Sequence, residues 1–263
     1  MSQDRPTLDE LRTVVQPEST MSRRNAEHWL ARLFLRDVSL RVTRLLIRTP
    51  VTANQLTGLM IVVGLVAAVP AGLSGFWTAL AAFVLVQVYF LLDLCDGEVA
   101  RWRRATSVTG VYLDRVGHYL VEAALLCAYG VRAAGQEWNM WSTLGVLTAL
   151  CAILIKAETD LVDVSRARSG MAVVKDAAEG DAADVTVPVH GGVARARKVA
   201  SVLRIHTLTG ALESSFLLLI AAGIDWGTGG LVGSRVLVSF LLAVSATMVV
   251  LHLASILLSR RLS

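Results

Sequence analysis

The longest uncharged stretch of the chain constrains the fold most. Between Arg48 and Asp93 there is no Asp, Glu, Lys or Arg. A run of about twenty apolar residues is enough to cross a bilayer as a helix, and this stretch is about twice that length. A turn-forming Pro-Ala-Gly-Leu-Ser-Gly segment at residues 70–75 divides it. We therefore expect two membrane helices, at residues 54–72 and 76–103.

Further apolar segments of helical length follow at residues 108–131, 138–158, 207–224 and 235–258. The chain is 54% hydrophobic and only 17% charged, whereas soluble domains carry about a quarter charged residues. The predicted fold class is an all-α integral membrane protein with six transmembrane helices. A net charge of +4 is too small an excess to suggest a nucleic-acid partner.

The segment before the first span has a mixed character. In residues 25–48, Leu30, Phe34 and Val38 recur at helical spacing, while Arg32 lies on the opposite side. This pattern is typical of an amphipathic juxtamembrane helix lying in the headgroup layer. A soluble helix packed on the cytoplasmic face of the bundle would show the same pattern.

Arg and Lys are concentrated on one side of the predicted spans, which orients the chain. An even number of spans then places both termini in the cytoplasm. We expect a cytoplasmic N-terminal segment at 1–49, a membrane domain at 50–258 and a cytoplasmic tail at 259–263. Within the membrane domain, the polar, small-residue stretch at about 160–204 predicts a mobile cytoplasmic loop.

Ionisable residues at membrane depth are costly, and they usually face a cavity or a partner. Two of the predicted helices each carry ionisable residues, together with small ones, on a single face. Near the end of the second span these are Asp93, Asp96, Gly97, Ala100 and Arg101, and in the third span they are Gly110, Asp114, His118 and Glu122.

This combination of side chains suits a metal and a pyrophosphate. Clustered carboxylates repel one another unless cations neutralise them, and oxygen ligands favour Mg²⁺, Mn²⁺ or Ca²⁺. Small residues on the same faces leave room for a ligand, and Arg101 is placed to clamp a phosphate. The alternative is purely structural, because small residues also serve close packing of membrane helices.

The spacing of these residues resembles the signature of the CDP-alcohol phosphotransferase family, D-x₂-D-G-x₂-A-R-x₈-G-x₃-D-x₃-D. The match runs from Asp93 to His118, and every fixed position agrees except the last, where His118 replaces Asp. A weaker feature, residues 51–57 (VTANQLT), looks like the family's T-P-N-x-[VIL]-T with Ala53 in place of Pro.

The resemblance implies a six-helix membrane enzyme with its active site at the cytoplasmic side. Such an enzyme transfers the phospho-alcohol of a CDP-linked donor to an acceptor hydroxyl and releases CMP. By position, Asp93, Asp96 and Asp114 would be ligands of two Mg²⁺ or Mn²⁺ ions. The cytidine–pyrophosphate pocket would be formed by Gly97, Ala100, Arg101 and Gly110, with Asn54 and Thr57 close to it.

The departure at His118 predicts either a general base or a ligand of the second metal, since neutral imidazole performs both tasks. We expect Glu122, one turn further on, to orient it. The alternative is a weakened second metal site with His118 hydrogen-bonded in the core.

The expected role is phospholipid synthesis in the cell membrane, with at least one lipid among donor and acceptor. CDP-diacylglycerol with a soluble acceptor and a CDP-linked soluble alcohol remain alternative donors. A non-catalytic or transport-type protein that uses the acidic cluster is the alternative from another class. Many members of the family dimerise through membrane helices, so a homodimer stays open.

Overall fold

The computed structural model of the protein describes residues 6–17, 35–171, 208–259 and 262, and these ranges contain eight α-helices. Two short helices come first, and six longer ones form the bundle. The helices are α1 (Leu8–Val15), α2 (Arg36–Leu46), α3 (Ala53–Gly72), α4 (Phe76–Trp102), α5 (Val108–Ala133), α6 (Met140–Arg168), α7 (Ala211–Thr228) and α8 (Val232–Leu257).

Among the described helices, α3, α4, α6 and α8 are long and apolar enough to cross a membrane. The other two predicted spans are present as helices but are more polar. Helix α5 carries the ionisable residues of the signature, and α7 contains Glu213 and Asp225, both buried. Length and composition thus support a membrane protein with four clear spans, together with two helices whose polar groups face the bundle.

The predicted boundary after the fourth span is wrong. Helix α6 continues to Arg168, so the beginning of the predicted loop at 160–204 is helical. The apolar stretch ends near Lys156, but charged residues beyond it still favour a helix. Hydropathy therefore marked the edge of the apolar region and not the end of the helix. Residues 172–204 of that predicted loop lie outside the described residues.

Helix α1 is an element that the sequence analysis did not predict. It begins with a capping box, in which Thr7 and Glu10 exchange side-chain and backbone hydrogen bonds. The backbone amide and hydroxyl of Thr7 hold the pKa of the Glu10 carboxyl below its ordinary value. Leu11 and Val15 are fully buried in a small apolar cluster with Leu40 of α2, against which Ile47 and Trp102 pack.

Helix α2 is the described part of the predicted amphipathic helix at 25–48, and residues 18–34 lie outside the described part of the chain. Its buried residues include Ser39 and Thr43, and this polar side packs against α4. Val38 of the predicted apolar face is left 40% exposed, so the helix packs on the bundle through its other side and the choice between the two alternatives stays a prediction.

Glu98 joins these short helices to the bundle. Its side chain is only 1% exposed, although it carries a carboxylate. Gln16 Nε2 donates a hydrogen bond to it at 2.7 Å, Ser39 Oγ at 2.8 Å and Thr43 Oγ1 at 2.7 Å. These three donors come from the end of α1 and from two successive turns of α2, so one carboxylate holds both helices against α4.

The opposite end of the bundle, where α3 turns into α4 and α7 into α8, is held by a buried arginine. The guanidinium of Arg132 donates to the carbonyl oxygens of Leu73 and Gly75, at 2.5 and 2.9 Å, and to Ser234 Oγ at 3.0 Å. Asp225 in turn accepts from the Ser234 hydroxyl at 2.5 Å. We call this network the Arg132 lock; it joins α5 to both helical turns.

Glu98→Ala should lower the free energy of unfolding by about 3 kcal/mol, because three buried donors lose their acceptor at once. Unfolding followed by circular dichroism in detergent would measure the change. Glu137→Ala is the matched control, since Glu137 is exposed. Equal stability of the two variants would contradict the role given to Glu98.

Candidate active site

A cavity of about 440 Å³ opens between α3, α4 and α5, beside the connection that joins α4 to α5. It is lined mainly by polar and small side chains, and most of the residues singled out in the sequence border it. These are Asn54, Thr57, Asp93, Asp96, Gly97, Ala100, Arg101, Gly110, Asp114 and His118.

The two predicted helical faces do converge on this cavity. The acidic residues of α4 lie in its last turns, before Trp102. The next helix is started by Ser107, whose hydroxyl accepts a hydrogen bond from the Gly110 amide at 3.0 Å. This N-cap follows α4 after a short connection, so α5 runs back alongside it and turns Asp114 and His118 toward Asp93.

The imidazole of His118 lies at the centre of the site. Its Nε2 is 3.2 Å from Asp93 Oδ1 and 3.4 Å from Asp114 Oδ1. Its Nδ1 is 2.7 Å from the hydroxyl of Tyr89, which is fully buried in α4. The ring is therefore held on both nitrogens, and its Nε2 edge is directed at two carboxylates.

The third carboxylate of the signature, Asp96, is held by α3. The Thr57 hydroxyl donates to Asp96 Oδ2 at 2.5 Å, and both residues are buried. The start of α3 is fixed by a capping box between Thr52 and Gln55. This cap sets the register of the helix, and one turn later Thr57 faces α4.

Small residues keep the cavity open where α3 meets α5. A Cβ atom on Gly110 would lie 2.9 Å from Asn54 Oδ1, closer than carbon and oxygen normally approach. The sequence analysis placed both residues near the pocket, and the structure puts them in contact across its wall. A side chain at Gly110 would displace the Asn54 amide.

Arg101 lies over Gly97 at the mouth of the site. A Cβ atom on Gly97 would be 3.1 Å from one terminal guanidinium nitrogen and 3.4 Å from the other. The Nε of Arg101 donates to the Val15 carbonyl at 2.7 Å. Arg36 of α2 borders the same cavity, so two guanidinium groups face the acidic cluster.

Glu122 is not among the residues lining the cavity. Its Oε1 is 2.7 Å from Lys156 Nζ of α6, and this ion pair turns it away from the signature residues. Glu122 was expected to orient His118, but the residue that contacts the ring is Tyr89, at Nδ1. Helical spacing placed Glu122 on the correct side of α5, but it could not show that Lys156 would be the nearer partner.

Tyr89, Arg36 and Glu98 are the residues of this region that the sequence analysis did not assign. Tyr89 precedes Asp93 by four residues, so its place on the acidic face of α4 was visible in the spacing. Arg36 belongs to the segment at 25–48, which was predicted as an amphipathic helix without a role in the site. Glu98 occupies a variable position of the motif, between Gly97 and Ala100, and its partners on α1 and α2 leave no spacing signal.

The donor atoms present suit a divalent cation. One oxygen from Asp93, one from Asp114 and one nitrogen from His118 all lie within 4.8 Å of one another. When Nε2 carries no proton, three electron-pair donors converge without a hydrogen between them, and a bound cation would relieve their repulsion. Asp96, one helical turn from Asp93, adds a further carboxylate to the cavity.

Similar proteins include two enzymes described as bifunctional IPC transferase and DIPP synthase. The one from Thermococcus kodakarensis is 27% identical over 132 residues, which cover 50% of this chain and 29% of that protein. The one from Aquifex aeolicus is 28% identical over 149 residues, covering 56% of this chain and 33% of that protein. The chain thus spans about a third of the length of these relatives.

A family model described as CDP-alcohol phosphatidyltransferase matches residues 50–224, most of the chain. The matched region contains all the acidic residues that line the cavity and every other lining residue except Arg36. Proteins of this family use CDP-linked alcohol donors and hydroxyl acceptors. The chain belongs to the CDP-alcohol phosphatidyltransferase family.

Proposed function

We propose that this protein is a metal-dependent CDP-alcohol phosphotransferase that moves a phospho-alcohol group, in the leading case phosphatidyl, to an acceptor hydroxyl and releases CMP. The observation that carries the proposal is the convergence of Asp93, Asp114 and His118 in one cavity that also holds Asp96 and Arg101. Family membership supports the same reaction class.

Asp93, Asp96 and Asp114 would hold one or two Mg²⁺ or Mn²⁺ ions, with His118 as a further ligand in one form of the proposal. When bound, these ions would supply positive charge that neutralises the phosphate oxygens of the donor. Arg101 would bind the diphosphate from the other side, because a guanidinium donates several hydrogen bonds to phosphate oxygens at once. Gly97, Ala100 and Gly110 leave the space that the donor needs.

His118 would act as the general base. In the suitable tautomer, the Nδ1–H group donates a hydrogen bond to the Tyr89 oxygen. The Nε2 lone pair is then directed into the cavity. The acceptor oxygen then bonds to the phosphorus that bears the alcohol, and the bond from that phosphorus to the bridging oxygen of CMP breaks. Nε2 takes the proton of the acceptor hydroxyl, and CMP leaves with the electron pair.

The same proposal includes the six-span arrangement in the cell membrane, with both termini and the active site at the cytoplasmic side. It is supported by the bias of Arg and Lys toward one side of the helices and by the six long helices of the bundle. A cavity that opens near the end of α4 would let a lipid donor bind with its chains in the bilayer. Phospholipid synthesis from CDP-diacylglycerol is therefore the favoured role.

CMP release is the direct test of this function. Purified protein with Mg²⁺ should release CMP from CDP-diacylglycerol or from a CDP-linked soluble alcohol when hydroxyl acceptors are supplied, and EDTA should stop it. Liquid chromatography of the nucleotide products would measure both. Release that survives EDTA would contradict metal dependence, and no release from either donor class would contradict the proposal as a whole.

His118→Ala should lower kcat by about 100-fold or more if the imidazole removes the proton. His118→Asp should retain a larger share of the activity, because a carboxylate takes the same proton. Activity at increasing Mg²⁺ separates the two roles, since loss of a metal ligand raises the Mg²⁺ concentration needed for half-maximal rate.

The matched control is His252→Ala, which removes an imidazole of α8 that contacts Thr159 of α6. Its activity should remain close to that of the unmodified protein. Full activity of His118→Ala would exclude the base role.

A further inference from the structure

The C-terminal end of α1 contacts a residue that lines the cavity. Arg101 Nε donates a hydrogen bond of 2.7 Å to the carbonyl oxygen of Val15, the last residue of α1. Carbonyl groups at the C-terminal end of a helix have no partner within the helix, and the helix dipole makes them slightly negative. A guanidinium is therefore a favourable partner at this position.

This contact divides the nitrogens of Arg101 between two tasks. The Nε is engaged by α1, whereas the two terminal nitrogens lie over Gly97, on the cavity wall. Because the guanidinium is planar, fixing Nε also fixes the plane in which the terminal nitrogens point. An arginine held in this way loses less conformational entropy when an anion binds than a freely rotating one would.

Helix α1 is itself held by buried contacts that do not involve Arg101. Leu11 and Val15 are 0% exposed, and Gln16 is bound to the Glu98 carboxylate. These contacts are made to α2 and α4. Glu98 precedes Arg101 by three residues on α4. Docking of α1 and orientation of Arg101 are thus parts of one connected set of contacts.

We infer that α1 is a positioning element for nucleotide binding: its terminal carbonyl holds Arg101 in the orientation that receives the diphosphate of a CDP-linked donor. The inference rests on the proposed function, since it takes Arg101 to be a ligand of that diphosphate. Residues of α1 act through Arg101 and do not touch the donor. If α1 only stabilised the fold, its loss would weaken binding regardless of which side chain occupies position 101.

A double-mutant cycle distinguishes these two cases. The full-length variant L11A/V15A, which removes buried contacts of α1, should weaken the binding of CDP in the presence of Mg²⁺ by about tenfold. In the Arg101→Lys background the same pair should change CDP affinity less than about twofold, because a lysine ends in a single nitrogen and has no planar fork that α1 could orient. Isothermal titration calorimetry in detergent would measure each dissociation constant.

The control pair L8A/V14A removes the same two side-chain types from the exposed side of α1, where Leu8 is 36% and Val14 48% exposed. It should bind CDP like the unmodified protein. Gln16→Ala gives a second, milder way to loosen α1 and should also weaken CDP binding only when Arg101 is present.

An equal loss of affinity in both backgrounds would overturn the inference while leaving the proposed function intact. Unchanged CDP affinity in both L11A/V15A and Gln16→Ala would also overturn it. If the unmodified protein does not bind CDP at all, the proposed function fails, and this inference fails with it.

Discussion

The cost of burying charge in a poorly solvated bundle governs the arrangement of this protein. An ionised side chain away from water is tolerated only when hydrogen bonds or opposite charges replace its hydration. The structure meets that requirement locally: Thr57 donates to Asp96, three donors bind Glu98, and Lys156 pairs with Glu122. Asp93 and Asp114 differ from these, because they converge on the imidazole of His118. The site is therefore the place where negative charge is concentrated and where two carboxylates share one partner.

Helix α4 organises the site along its length. Tyr89, Asp93, Asp96 and Arg101 follow one another on it, and at 1.5 Å per residue they span about 18 Å. Helix α5 runs in the opposite direction, so Gly110 lies toward the Arg101 end and His118 toward the Tyr89 end. Nucleotide recognition and proton transfer would thus occupy opposite ends of one groove, with the carboxylates between them.

Helical periodicity and hydropathy predicted much of this structure. The uncharged stretch located α3 and α4, and the four-residue spacing correctly placed the acidic faces of α4 and α5 against each other. Such patterns describe one helix at a time. They do not predict which residue of a neighbouring helix a side chain will contact. Glu122 contacts Lys156, and Tyr89 contacts His118, because of the packing of neighbouring helices. Helix α1 was missed because its eight residues are too few to show a clear period.

The Arg132 lock has a consequence for how the molecule moves. Separating the helices at that end would break several hydrogen bonds to a buried guanidinium, and each buried polar group left without a partner is costly. The cavity lies at the other end of α5, where the short helix α2 borders it and α1 contacts its Arg101. Alternating access, in which a central site opens first to one side of a membrane and then to the other, would require the locked end to part. In the described part of the chain, the structure instead suits a chamber that is entered from the end opposite the Arg132 lock.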